Sequence, residues 1–213
     1  IQHTIVVKCI PAPYFFSCLR VPFYEPISYP RKFNSLTICY IPNTLVDTNL
    51  PNNRQTVINN WLNAASIDTL LISGGNEIGE RLQRDFTEKY LLSWAEQNRK
   101  PVLGICRGMQ MMGVYAGGKL IKVNGHVRTQ HRLQIPDDHE QILPEFVNSF
   151  HNLVLQKCPD SFQILANSED GNIEAMTHKE LPWEAWMWHP EREDNFAKID
   201  QERFKKLMNN GKH

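Results

Sequence analysis

Between residues 53 and 118 two hydrophobic periods alternate, and this alternation limits the chain more than any other feature. Asn53 to Ser66 sets Val57, Ile58, Trp61, Leu62 and Ala65 on one helical face, then runs into the apolar stretch Thr69-Leu70-Leu71-Ile72-Ser73 and Gly74-Gly75. The pattern repeats: Leu82, Phe86, Tyr90, Leu91, Trp94 and Ala95 mark an amphipathic helix, and Pro101-Val102-Leu103-Gly104-Ile105 is a second short apolar strand. Gly108 to Ala116 reads as a further helix, stopped by Gly117-Gly118. Short strands that are apolar throughout need cover on both faces, so the expected class is α/β, a parallel sheet with helices packed on it.

The flanks are less regular. Thr4 to Ile10 is β-branched and apolar and reads as a buried first strand, and Leu36 to Ile41 as a second. Between them, prolines at 11, 13, 22, 26 and 30 recur too often for an uninterrupted helix, so the stretch from Pro11 to Lys32 is read as loop or broken structure. After residue 160 the pattern becomes extended. Phe162 to Ala166 and Ile173 to Thr177 flank Asp170-Gly171 as a small antiparallel hairpin, and Glu184 to Trp188 is a further strand. Asn195 to Asn210 carries Phe196, Ile199, Phe204, Leu207 and Met208 at helical spacing before Gly211.

Length and charge narrow the function classes. At 213 residues the chain fits one domain, residues 1–213. Lys+Arg and Asp+Glu are both 23, and no run of like charge could track a phosphate backbone or an anionic membrane, so neither nucleic acid nor membrane is an expected partner. Cys9, Cys18, Cys39, Cys106 and Cys158 are odd in number and lack C-x-x-C spacing. With no basic segment and long apolar run at the start, this points to a reducing, cytoplasmic setting. The oligomeric state is not legible.

Gly104-Ile105-Cys106-Arg107-Gly108 has the form glycine-x-nucleophile-x-glycine at a strand-to-helix junction. Small flanking residues suit a sharp turn that lifts the nucleophile above the sheet edge, and the positive end of the following helix is expected to favour the thiolate of Cys106. A thiol nucleophile needs an imidazole to move its proton and an acceptor to orient that imidazole. Trp188-His189-Pro190-Glu191 offers both: Pro190 favours an extended His189, and residues two apart in an extended segment share a side. The oxyanion donors expected are the amide of Arg107, which follows the nucleophile, and a second backbone amide from Gly74-Gly75, where no side chain intervenes.

With Gly-Ile-Cys106-Arg-Gly-Met-Gln, Ser73-Gly74-Gly75-Asn76-Glu77 and His189-Pro190-Glu191 in this order, the sequence resembles the class I glutamine amidotransferase-like proteins from about Ser35 onward. The resemblance implies a flavodoxin-like three-layer sandwich with a mostly parallel central sheet, and a triad of Cys106, His189 and Glu191 with Gly75 and Arg107 as the oxyanion hole. The Cys-Arg-Gly-Met-Gln run is similar to the γ-glutamyl hydrolase, peptidase C26-like branch. Residues 125–131 and 147–151 resemble that branch's substrate-side loops, the former also those of γ-glutamyl-CDP-amidate hydrolases of capsule phosphoramidate synthesis.

Gly74, Asn76, Gln110, His126, Arg128, His131, Asn148, Ser149 and His151 are accordingly expected to contact a small-molecule γ-glutamyl amide. The histidines at 126, 131 and 151 also have the makings of metal ligands, but nothing in the chemistry requires one, so no metal and no cofactor is expected. Two other functions compete: a glutaminase that passes ammonia to a partner synthetase, and a non-catalytic binding or redox-sensing relative. The intact His189-x-Glu191 argues against the latter.

Overall fold

The computed structural model describes residues 3–8, 31–33, 36–42, 59–60, 62–63, 67–136 and 143–210. The expected helix of residues 53–66 is helical at 59–60 and 62–63, and its other positions lie outside the described residues, as do residues 11–30 and Gly211.

An eight-stranded sheet forms the frame. Its strands are β1 (His3–Lys8), β2 (Arg31–Phe33), β3 (Leu36–Pro42), β4 (Thr69–Ile72), β5 (Val102–Ile105), β10 (Phe162–Asn167), β11 (Ile173–His178) and β12 (Trp183–Trp186), in the order β10-β11-β12-β5-β4-β1-β3-β2. Between chain neighbours β5 and β10 lie two small antiparallel ribbons, β6 (Leu120–Lys122) with β9 (Leu153–Leu155) and β7 (Val127–Arg132) with β8 (Phe146–Phe150). The helices are α1 (Leu82–Gln97), α2 (Arg107–Tyr115) and α3 (Lys198–Asn210).

The sheet is mixed, which corrects the mostly parallel expectation. Among the described strands only β4–β5 and β5–β12 pair in parallel; β1 runs antiparallel to both β3 and β4, and β10, β11 and β12 form an antiparallel meander. A parallel neighbour requires a long crossover, usually helical, whereas antiparallel neighbours can be joined without one. The expected hairpin is present: β10 and β11 pair across a turn in which Gly171 takes φ 84°.

The parallel trio holds the centre. Leu70, Leu71, Ile72, Val102, Leu103 and Ile105 are wholly buried. Each stabilises the fold by about 1.5–3 kcal/mol relative to exposure. β12 shows how helices meet both faces. Tyr115 of α2 packs on Trp183, ring centroids 6.0 Å apart, whereas Glu184, pointing the other way, pairs with Arg203 of α3.

α1 departs from the expected amphipathic pattern at its beginning. Leu82 and Phe86 face solvent, 61% and 41% exposed, while Arg84, Asp85 and Glu88 are buried. The reason is electrostatic: Arg107 is itself buried and takes both Asp85 and Glu88 as partners, and Glu88 also accepts from Arg84 at 2.7 Å. Two guanidinium groups and two carboxylates balance, which is the condition for keeping charges out of water. Leu91, Trp94 and Ala95 then continue the helix into the core as the periodicity predicts, with Leu92 also buried.

Candidate active site

Cys106 follows β5 directly and takes φ 51° and ψ −105°, a left-handed backbone in a residue that carries a side chain. Such strain costs about 1–3 kcal/mol and persists only where the surroundings hold it. Its N–H donates to the Trp186 carbonyl at 2.7 Å, fixing the turn to the neighbouring strand. The flanking glycines are steric requirements: a Cβ on Gly108 would stand 1.9 Å from the Ile72 carbonyl oxygen, and one on Gly104 would meet the Gly108 carbonyl carbon at 2.8 Å. α2 can therefore start this close to β4 and β5 only with glycine at both places.

The environment of the thiol corrects the expected thiolate. Cys106 is 5% exposed, and burial pushes its thiol up to about 12 despite an opposing hydrogen bond from the Arg107 backbone; the negative charge of Glu191 adds to the rise. Desolvation outweighs the helix terminus because the sulfur has almost no contact with water.

His189 lies just beyond β12, which is parallel to β5, so the two chain ends reach the same sheet edge. Its Nδ1 is 2.6 Å from Glu191 Oε1, the pairing expected from the sequence. The local route differs: Pro190–Arg192 is a single 3-10 turn, so the carboxylate returns to the imidazole through a tight turn and not along an extended strand. Gly74 lies against the imidazole, where an added Cβ would be 2.7 Å from Cε1, and Phe150 meets the ring edge-on at 5.8 Å.

A cavity of about 80 Å³ joins Cys106 to Gly75, Glu77, Arg107, Gln110, Phe150, His151, Asn152 and Leu153. That is the room of about two or three waters, so it accepts the end of a side chain and leaves the rest of any larger molecule outside. Both expected oxyanion residues, Gly75 and Arg107, line it. The Gly75 amide has a defined orientation, because Arg84 Nη2 donates to the carbonyls of Ser73 and Gly74 at 2.9 and 3.0 Å. In a trans peptide the carbonyl and the following N–H point opposite ways, so fixing the Gly74 carbonyl on Arg84 turns the Gly75 N–H to the other side.

Of the residues expected to touch substrate, Gln110 and His151 line the cavity, although Gln110 Nε2 is engaged by the Leu153 carbonyl at 2.9 Å. Others have internal partners. Asn148 braces His189 from both sides, its Nδ2 donating to the His189 carbonyl at 2.8 Å and its Oδ1 accepting the His189 N–H at 2.9 Å. Those two bonds give it a positioning role toward His189. Ser149 Oγ donates to the His126 carbonyl at 2.8 Å, and Asn76 Oδ1 accepts from Arg84 Nη1 at 3.3 Å. Gly74 supports the imidazole, and Arg128 is exposed at a bulge in β7. His126 and His131 gather with His151 around Glu174.

Arg84, Asp85, Glu88 and Glu174 were not singled out by the sequence reading. The Arg84/Glu88 spacing of four was the available signal for the first group, but it passes for an ordinary surface pair until burial is known. No helix among the described residues is long and apolar enough to cross a membrane.

A strained cysteine elbow at the carboxyl edge of a mixed α/β sheet, with a His–Glu pair at the end of the adjacent parallel strand, defines the nucleophile-elbow class of α/β proteins. The chain belongs to the peptidase C26 family, whose model matches residues 48–191, and so to the class I glutamine amidotransferase-like proteins. It is 30% identical over 173 residues to the glutamine amidotransferase-like protein YvdE of Lactococcus lactis, covering 67% of this chain and 72% of that one. It is 30% identical over 139 residues to the gamma-glutamyl-CDP-amidate hydrolase of Campylobacter jejuni, covering 62% and 66%. Among solved structures, the fold is similar to a GMP synthase protein of Thermoplasma acidophilum, with a TM-score of 0.60, 24% identity, and 74% and 78% of the two chains covered.

Proposed function

We propose that the protein is a cysteine-dependent hydrolase of γ-glutamyl amides. The observation that carries the reading is the shared sheet edge: Cys106 ends β5 at a small cavity that Gly75 and Arg107 also line, and the His189–Glu191 pair follows the adjacent parallel strand β12. In this mechanism the Cys106 sulfur attacks the γ-carbonyl carbon as its proton passes to His189, and the carbonyl oxygen gains charge against the two amides. The buried, neutral thiol fits proton transfer during attack better than a standing thiolate. His189 then delivers the proton to the departing nitrogen, the C–N bond breaks, and a glutamyl thioester remains. Water attacks the thioester, giving its proton to His189, and glutamate leaves as the thiol re-forms.

The flavodoxin-like three-layer arrangement belongs to this reading, supported by the parallel β4-β5-β12 unit with helices on both faces. So do a single domain, a cytoplasmic setting that keeps Cys106 and Cys158 as free thiols, and a small molecule as the partner. The C. jejuni relative supports CDP-amidate as one leaving group, and a role in capsule synthesis belongs to the same reading. Likeness to glutamine-hydrolysing GMP synthases favours a second reading, a glutaminase that supplies ammonia to a partner synthetase.

The test is mass spectrometry of the purified chain with a panel of γ-glutamyl amides, including γ-glutamyl-CDP-amidate and glutamine. Acylation of Cys106 and release of glutamate by the chain alone are expected, and both vanish in Cys106→Ala. Full turnover of every amide by a folded Cys106→Ala variant would overturn the proposal, and action on glutamine only with a partner present would select the second reading. Oxidation of Cys106 without acylation would select a redox sensor.

A further inference from the structure

Beside the cavity, three histidines and a glutamate converge without satisfying one another. One donor atom from each of His126, His131, His151 and Glu174 falls in a group whose members all lie within 4.8 Å of one another. His126, His151 and Glu174 are 2%, 3% and 0% exposed, yet His126 Nδ1, His131 Nε2, both ring nitrogens of His151 and both oxygens of Glu174 lack a hydrogen-bond partner. Buried polar atoms are nearly always paired, so a knot of six orphans calls for something at its centre.

We propose that this cluster is a binding site for a zinc-class divalent cation. The spacing fits. His126 Nδ1 and His151 Nε2 stand 3.7 and 3.6 Å from Glu174 Oε1, too far for hydrogen bonds. Donors on a tetrahedral zinc, each about 2.0–2.1 Å from the metal, are about 3.3 Å apart. Three imidazoles and one carboxylate favour zinc, cobalt or nickel over calcium or magnesium, which prefer oxygen donors throughout.

Two further features prepare the site. His126 Nε2 lies 2.8 Å from Asp170 Oδ2, leaving Nδ1 as the inward donor, and Asp170 is itself held by Ser168 Oγ at 2.5 Å and Asn172 Nδ2 at 2.9 Å. A carboxylate behind a histidine is the usual orienting partner of a metal ligand. The other feature is a change of parity. Residues five apart in a regular strand point to opposite faces, so His126 and His131 should diverge. In β7, Val127 pairs with Phe150 but Thr129 with Ser149, so Arg128 is one residue extra, held at φ 57°. That bulge brings both histidines to one side, and bulges that re-aim side chains cluster at functional sites.

Ligands from the β7–β8 ribbon and from β11 would tie the ribbon to the main sheet. His151 also lines the Cys106 cavity, so the ion forms part of that wall. The inference is independent of the amidase reading, since it is tested without substrate.

The purified full chain, stripped with chelator, is titrated with zinc chloride by calorimetry and with cobalt chloride by visible absorption, and its melting temperature is followed. One zinc per chain, a tetrahedral cobalt spectrum and a zinc-dependent rise in melting temperature are expected. Glu174→Gln and His126→Ala should abolish all three, and Asp170→Asn, which changes a half-exposed second partner, should weaken zinc about 10–100-fold. Failure of the wild-type chain to bind either ion would overturn the proposal, whether or not the variants fold. Binding that is unchanged in both Asp170→Asn and Glu174→Gln would do the same, by showing that the ion sits elsewhere, as on Cys106.

Discussion

Arg84 Nη2 holds the Gly74 carbonyl at 3.0 Å, and through that one peptide a buried charge on α1 sets the direction of the Gly75 amide beside Cys106. The same guanidinium donates to Glu88, which also binds the Arg107 side chain. Both expected oxyanion residues are thus tied to one ionic network, Gly75 through the Gly74 carbonyl and Arg107 through its own side chain.

Arg84→Lys keeps the charge but cannot hold two carbonyls and Glu88 in one plane. Turnover of a γ-glutamyl amide is expected to fall about 10²-fold with little change in KM, the pattern of a lost oxyanion donor. Stability should fall as well, so thermal melts accompany the kinetics. Wild-type kcat in a folded variant would show that the Gly75 amide is oriented by something else.

Gly74→Ala isolates the placement of the imidazole. The added methyl would meet His189 Cε1 at 2.7 Å, and a ring braced by Glu191 and by Asn148 on its backbone cannot swing away freely. Displacement by about 1 Å can cost about 10²-fold in rate. Steady-state kinetics on protein of unchanged circular dichroism gives the answer, and activity within twofold of wild type would exclude contact between Gly74 and a working His189.

Alkylation reports the state of the thiol. With burial holding Cys106 at about 12, the free protein at pH 8 should react with iodoacetamide at least about 100-fold more slowly than an unhindered cysteine of pKa ~8.5, and the rate should still climb at pH 10. Cys158 is partly exposed, so the label is located by peptide mapping. A plateau below pH 7 would mean a standing thiolate.

Asp200 on α3 makes stability depend on pH. Burial raises its carboxyl to about 7, although Trp188 and Arg203 pull it down. A carboxyl raised in the folded state adds stability that is complete below its unfolded value near 3.9 and is lost as pH rises through 7. Asp200→Asn should flatten the dependence of urea stability between about pH 4 and 7, with a gain over wild type at pH 8 of at most about 4 kcal/mol. Parallel pH curves for the two proteins would show that Asp200 titrates normally.

Local pattern alone located β4, β5, α2 and the β10–β11 hairpin, because strand and helix periods and glycine stops are properties of short segments. It also located Cys106 between its glycines and the His189–Glu191 pair, whose members are two residues apart. Strand direction was not local: β1 accepts antiparallel neighbours on both sides, a choice made by how distant segments return to it. Nor was the buried face of α1, where Leu82 and Phe86 lost to Arg84 and Glu88 because Arg107, nineteen residues beyond Glu88, demanded counter-charges.

The sequence by itself determined which residues can supply a nucleophile, a base and an orienting acid, since each identity and its immediate neighbours are written in the chain. Only the tertiary structure decided how much water the Cys106 sulfur keeps, that Asn148 serves His189, and that His126, His131, His151 and Glu174 share one small volume. Desolvation and convergence depend on what every other segment brings to the same point, and no window of sequence contains that information.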